Sequence, residues 1–208
     1  EELSVFTKNA LDEKIVFACE WVSGAKYPSV RSDNTKGARL ALKHLYDLGH
    51  RKIAHVTGPL DNVLTHMRRD STLQEREKLG LPVRNEWIIR GDFSLESGHE
   101  AARILFEMED RPTAVFCASD EVAFGLISAL TSLGIRVPQD ISVVGFDDIE
   151  MSGSYVPALT TIRQDRHQLG RRAAEVLLGP LANTGKALPM KSALPVELVT
   201  RASSAPPN

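Results

Sequence analysis

The segment Asp140-Ile-Ser-Val-Val-Gly-Phe-Asp-Asp148 constrains the fold more than any other part of this chain. From Ile141 to Val144 the residues are apolar at successive positions instead of alternating, which marks a strand covered on both faces. Such strands belong to parallel sheets with helices on each side. This one passes through Gly145 into two carboxylates, Asp147 and Asp148. Ligands of open α/β sheets bind just beyond the carboxyl ends of the strands, so a binding site would place polar groups here. The plainer alternative is a core strand with an acidic exit loop.

The same arrangement recurs. Lys52–Thr57 runs into Gly58-Pro59, Thr113–Ala118 into Ser119-Asp120, Leu159–Ile162 into Arg163-Gln164-Asp165, and Trp87–Arg90 into Gly91-Asp92-Phe93. Helical periodicity separates these runs over Thr35–Leu48, Leu95–Met108, Glu121–Leu133 and His167–Leu178. Strand and helix alternating at this spacing predict parallel βαβ units. Parallel strands bring their carboxyl ends to one edge, where Phe93, Asp120, Asp147 and Gln164 are expected to share a crevice. Polar groups with one aromatic suit a small polyhydroxylated or heterocyclic ligand.

The bulk properties are those of an ordinary globular chain of one or two domains: 208 residues, 42% hydrophobic and 25% charged. A net charge of −2 gives no electrostatic reason to expect nucleic-acid or membrane binding by this segment. Cys19 and Cys117 both lie in apolar runs and are expected to be reduced and buried, as in a cytoplasmic protein. No run approaches the ~18 apolar residues of a membrane helix, and no signal peptide opens the chain. His44, His50, His55, His66, His99 and His167 lack metal-ligand spacing, so no metal or other cofactor is predicted. No Gly-x-Gly-x-x-Gly, His-Glu-x-x-His or nucleophile–base wording argues for an enzyme. Glu1–Gly24 offers one strand, Lys14–Cys19, and reads as the end of something larger; Ala202–Asn208 has the composition of a mobile tail.

From about Pro28 to Arg201 the chain resembles the effector-binding domain of the LacI/GalR family of bacterial transcriptional repressors. The resemblance rests on Ser32-Asp-Asn34, His44–Ile53, Gly58-Pro59, Gly91-Asp-Phe93, Ser97-Gly98, Arg111–Phe116, Ser119-Asp120, Gly134–Asp148, Pro157–Thr161, Leu169-Gly170 and Leu198–Arg201, in that order. The wording at Arg90–Phe93 and Ala114–Cys117 is similar to that of the cytidine-type repressors. The resemblance implies a periplasmic-binding-protein-like α/β fold. Two parallel-sheet subdomains are joined by three crossovers, with the effector, a small sugar or nucleoside, in the cleft. Residues 1–32 and 165–190 would be the remnant of an incomplete amino-terminal subdomain. Residues 33–164 and 191–201 would form the carboxy-terminal one, and 202–208 the tail. The family also implies a homodimer, and operator binding only through a helix-turn-helix head absent from this chain. A free periplasmic-type sugar-binding protein of a transporter is the alternative, because it shares the fold. One stretch departs from the family pattern. Ser71–Glu77 has hardly any apolar face, which predicts an unusually exposed helix or missing residues.

Carried over residue by residue, the resemblance makes Arg68, Phe93, Ser119, Asp147, Gln164 and Cys19 the expected effector contacts. A guanidinium donates in a planar fork, a carboxylate accepts from adjacent hydroxyls, and an aromatic face stacks on a ring. Asp148 and Asp120 are expected to cap the turns that follow them. The helix Glu121–Leu133 is apolar beyond the width one sheet needs, so Phe124 and Ile127, with Tyr155 from the following loop, are the expected dimer contacts. The alternative is an internal contact in which the Tyr155 loop covers Phe124.

Overall fold

The structure, a computed structural model, describes residues 15–22, 24–179 and 191–208. It divides into two compact units, one of Glu1–Asp33 with Asp165–Pro195, the other of Asn34–Gln164 with Val196–Asn208. The chain passes from one to the other at 33/34, 164/165 and 195/196. The parts of the expected amino-terminal subdomain at 1–14 and 180–190 lie outside the described residues.

The smaller unit has strands β1 (Phe17–Ala18), β2 (Ser29–Ser32) and β8 (Lys191–Leu194), paired in parallel in the order β1-β2-β8, with helix α5 (Arg166–Leu178). Val30, Leu169 and Val176 form its small core with Leu194 packed against them. The expected boundary at 190/191 is therefore corrected. Lys191–Leu194 adds to β2 in this sheet, and the crossing comes after Pro195.

In the larger unit a six-stranded sheet runs β4 (Ile88–Ile89), β3 (Ile53–Val56), β5 (Ala114–Cys117), β6 (Ser142–Asp147), β7 (Thr160–Gln164), β9 (Val196–Val199). All pairings are parallel except β7 with β9. Residues 53–56, 114–117 and 142–146 are buried throughout, as strands covered on both faces must be. Helices α1 (Asn34–Asp47), α2 (Val63–Lys78), α3 (Leu95–Glu107) and α4 (Asp120–Ser132) supply the cover. Each of α2, α3 and α4 starts at a side-chain cap: Asn62, Ser94 and Ser119 accept from the backbone N–H of Leu64, Ser97 and Val122.

Two expectations about this unit fail. Ala202–Asn208 is not a loose tail. The Ser203 Oγ donates to the Val143 carbonyl at 2.6 Å and accepts from the Thr160 N–H at 2.8 Å, while His50 Nε2 meets the Ala205 carbonyl at 2.9 Å. Its serines occupy backbone groups that β6 and β7 would otherwise leave unsatisfied. Nor is Ser71–Glu77 interrupted or exposed. It continues α2 without a break and buries Ser71, Thr72 and Arg76. The helix docks through polar side chains, which is why the sequence shows no apolar face.

Candidate functional site

The strand order brings the carboxyl ends of β3 to β7 to one edge, and the expected contact residues of the larger unit gather there. Gln164, the last residue of β7, donates its Nε2 to Asp147 Oδ1, at the end of β6, at 2.5 Å. Asp147 and Arg163 are register partners across the same pair of strands. Arg68, projecting from α2, is buried; its Nε donates to Asn34 Oδ1 at 2.9 Å and its Nη1 to the Ala118 carbonyl just past β5. Its guanidinium carbon sits 3.7 Å from the centroid of the Phe146 ring and 5.9 Å from that of Phe93, so Arg68 is held by cation–π as well as by hydrogen bonds. The Phe93 ring closes over Gly58, where any Cβ would strike it. Glycine is needed there because the Phe93 ring and the Thr65 hydroxyl of α2 both crowd this residue of the β3 exit loop.

Ser119 is committed locally. Its Oγ caps α4 through Val122 and donates to the Phe93 carbonyl at 3.2 Å, which ties the exit loops of β4 and β5 together. The expected role of Asp120 as the cap is corrected, since Ser119 fills it. Asp120 is buried in the first turn of α4, where Oδ2 accepts from Ser152 Oγ at 2.6 Å and from the Ile149 N–H at 2.9 Å, and Oδ1 from Thr161 Oγ1 at 2.5 Å. Burial pushes its carboxyl above the usual range against the pull of these donors. Gly145 is required beside it, because a Cβ there would collide with the Asp120 carboxylate. Asp148 is likewise no cap. Ile149 precedes the short 3-10 turn Glu150–Gly153 without a side-chain cap, and Asp148 instead pairs with Arg163 Nε at 2.5 Å and Arg201 Nη2 at 2.6 Å.

The backbone is unusual at the same edge. Among the described residues four non-glycines have positive φ: Cys19 (71°), Phe93 (71°), Asp147 (124°) and Asp148 (54°). Each ends or follows a strand, and left-handed L residues cost on the order of 1–3 kcal/mol each unless their surroundings over-determine them. Cys19 follows β1 in the smaller unit and is half-buried; Cys117 is buried in β5, and burial raises its thiol pKa, so it is inert.

The expected dimer contacts are corrected in part. Phe124 and Ile127 are each 1% exposed within the single chain. The Tyr155 ring stacks on Phe124 at 4.5 Å between centroids, and its hydroxyl donates to the Phe124 carbonyl at 3.0 Å. The internal contact weighed in the sequence is the one formed, and it absorbs the surplus apolar width of α4.

Sequence reasoning missed Asn34 and Phe146 as the holders of Arg68. Asn34 stood inside the recognised Ser32-Asp-Asn34 wording without a role, and Phe146 read as strand core. Only the fold brings residues 34, 68, 118 and 146 together. Among the described residues no group of three or more His, Cys, Asp or Glu is placed to hold a metal ion.

Comparison with known proteins agrees with this geometry. Residues 42–204 match the periplasmic binding protein-like domain family. The HTH-type transcriptional repressor PurR of Haemophilus influenzae is 35% identical over 208 residues, covering 96% of this chain and 62% of its own length. The chain thus spans less than two thirds of that curated relative. A LacI family transcriptional regulator from Enterococcus faecium, solved with bound ribose, superposes with a TM-score of 0.87 at 30% identity, over 98% of this chain and 75% of its own. The dimeric Lac repressor with an 11-residue C-terminal deletion gives 0.83 at 35% identity, over 91% and 68%. The strand-end edge, the domain match and these likenesses lead to one conclusion: the chain belongs to the LacI family of transcriptional regulators and carries its periplasmic-binding-protein-like domain.

Proposed function

We propose that this chain is the effector-binding part of a ligand-responsive transcriptional repressor, and that a small sugar or nucleoside binds at the strand-end edge of the larger unit. One observation carries the reading. The Asp147–Gln164 pair, the buried Arg68 and the Phe93 ring converge where parallel strands end, and Asp147 and Phe93 are held there in left-handed backbone. Strain of this kind concentrates at binding sites. The carboxylate and amide accept from and donate to hydroxyls, the guanidinium donates in a fork, and the ring offers a face to a sugar or base. The ribose bound to the Enterococcus faecium relative supports the ligand class. The protein would act in the cytoplasm as a homodimer, the state of the Lac repressor with an 11-residue C-terminal deletion, and would reach operator DNA through a separate DNA-binding head, shifting between states of different operator affinity as the effector binds. Phe124 and Ile127 being internal, the dimer contact falls to exposed groups of the loop that covers them, Met151 and Val156, with the outer face of Tyr155.

Thermal denaturation of the full-length protein with ribose, cytidine and adenosine tests the reading, because a ligand of the native state raises Tm. At least one is expected to raise Tm in the wild type and not in Asp147→Ala. A shift of equal size in both proteins, or none with any of the three, would count against the site.

A further inference from the structure

The turn that carries Asp147 has two consecutive residues of positive φ, at 124° and 54°, and neither is glycine. Asp148, the second of them, directs its side chain inward, where it is only 7% exposed and both oxygens meet a guanidinium. Oδ2 accepts from Arg163 Nε at 2.5 Å and Oδ1 from Arg201 Nη2 at 2.6 Å. Arg201 is fixed at three further points. Its Nη1 donates to the Leu159 carbonyl at 2.7 Å, its backbone N–H donates to Thr160 Oγ1 at 2.9 Å, and the following residues are stitched to β6 and β7 through Ser203. Arg163 has a second arm on Glu197 at 2.8 Å. The Leu159 carbonyl and the Asp148 carboxylate are thus spanned by one planar fork. Charge-assisted bonds of this kind fix direction as well as energy.

We propose that Arg201 is a positioning residue: through Asp148, and with Arg163 as the second arm, it clamps the exit turn of β6 in its left-handed conformation and so aims the Asp147 carboxylate along the effector edge. The proposal rests on the reading of Asp147 given above. It assigns a binding role to the carboxy-terminal segment 200–205. A ligating side chain is only as precise as the support beneath it, and this support is contributed by residue 201, far along the chain from the turn it holds.

Two measurements on the full-length protein test it. Hydrogen exchange over Phe146–Ser152 needs no ligand. Arg201→Gln is expected to speed exchange in this segment about tenfold while β5 keeps its wild-type rates. Unchanged exchange at the turn, or a uniform rise across the chain, would overturn the clamp, the second because it marks general destabilisation. Should Arg201→Gln fail to fold, Arg201→Lys keeps the charge but cannot span Leu159 and Asp148 together, and the same local rise is expected at smaller size. The second measurement is titration with ribose, cytidine and adenosine. Arg201→Gln should weaken binding about tenfold, and adding Asp147→Asn to it should cost less than Asp147→Asn does alone. Fully additive losses would overturn the positioning role. A wild-type protein that binds none of the three defeats the effector reading, and exchange then decides the clamp by itself.

Discussion

The two faces of the six-stranded sheet are built on opposite principles. On one face α3 and α4 bury Ala101, Ala102, Leu105, Val122, Phe124, Leu126, Ile127 and Leu130 against Val56, Val115 and Val143. On the other, α1 contributes an apolar stripe, Ala38, Ala41, Leu42 and Leu45, but α2 beside it buries Thr65, Arg68, Ser71, Thr72 and Arg76. Under α2 the strands carry His55 stacked on Phe116 at 4.8 Å. Among the described residues Arg76 has no carboxylate partner; it donates to the Ile53 and Pro82 carbonyls, and its Nε, like His55 Nε2 and Thr65 Oγ1, lacks a hydrogen-bond partner. The apolar face is stable by area. The polar face gives up stability to hold Arg68 in place, and unpaired buried groups of this sort are costly.

The largest effect should come from putting a charge into the apolar face. Phe124→Asp buries an unpaired carboxylate beneath Tyr155, and a loss of more than about 4 kcal/mol is expected, enough to unfold a domain of ordinary stability. Urea denaturation checks it. A folded, dissociated mutant would instead return Phe124 to the dimer interface.

On the polar face, acid should find His55 first. Burial lowers its pKa from 6.5 to about 4, opposed by its bond to the Phe116 carbonyl and helped by Arg76, Arg68 and Arg69 nearby. The folded state therefore binds the proton less tightly than the unfolded one. Stability is full above pH 6.5 and falls as pH drops towards 4, by about 3 kcal/mol from this group. Asp120, whose carboxyl is shifted up, works in the opposite sense. The difference in ΔG of unfolding between wild type and His55→Gln, followed from pH 7 to 4, isolates the histidine; parallel curves would contradict the assignment.

Arg76→Met should raise stability by about 2 kcal/mol, since burial holds the guanidinium pKa down to about 10 and an apolar side chain of similar length removes that cost. The same substitution at Arg68 should abolish ligand response, which would separate the roles of the two buried arginines of α2. Chemical denaturation with ribose or nucleoside titration reads both. The smallest effect is expected at Phe93, in the β4 exit loop, whose ring lies over Gly58. Phe93→Leu should weaken ligand binding by roughly threefold to tenfold, the worth of one aromatic stack, while Tm barely moves. A large stability loss with unchanged affinity would make Phe93 part of the core.

Legibility in the sequence followed the same division. The strands and helices of the apolar face were readable because burial on both sides leaves unbroken apolar runs, and α4 emerged with its ends displaced by one residue. The helix α2 was not readable, because an arginine that docks through its guanidinium leaves the same mark in a sequence as one that points to solvent. Asp120 and Asp148 were misread for a related reason. A carboxylate just after a strand reads as a cap, and only the positions of Ser152, Thr161, Arg163 and Arg201 make one a buried acceptor and the other half of a clamp.

By itself the sequence determined the class of fold, the family, and the edge of the sheet at which Phe93, Asp147 and Gln164 stand, since these depend on local periodicity and on motifs of a few residues. The tertiary structure alone decided which polar groups were already spent. Ser119 on its helix, Asp120 on three donors, Phe124 under Tyr155 and the 202–208 segment on β6 and β7 all find partners 25 or more residues away along the chain, or in a cap geometry that only the folded backbone creates. Hydrogen bonds and ion pairs act over about 3 Å in space whatever the separation in sequence, so no local pattern records them.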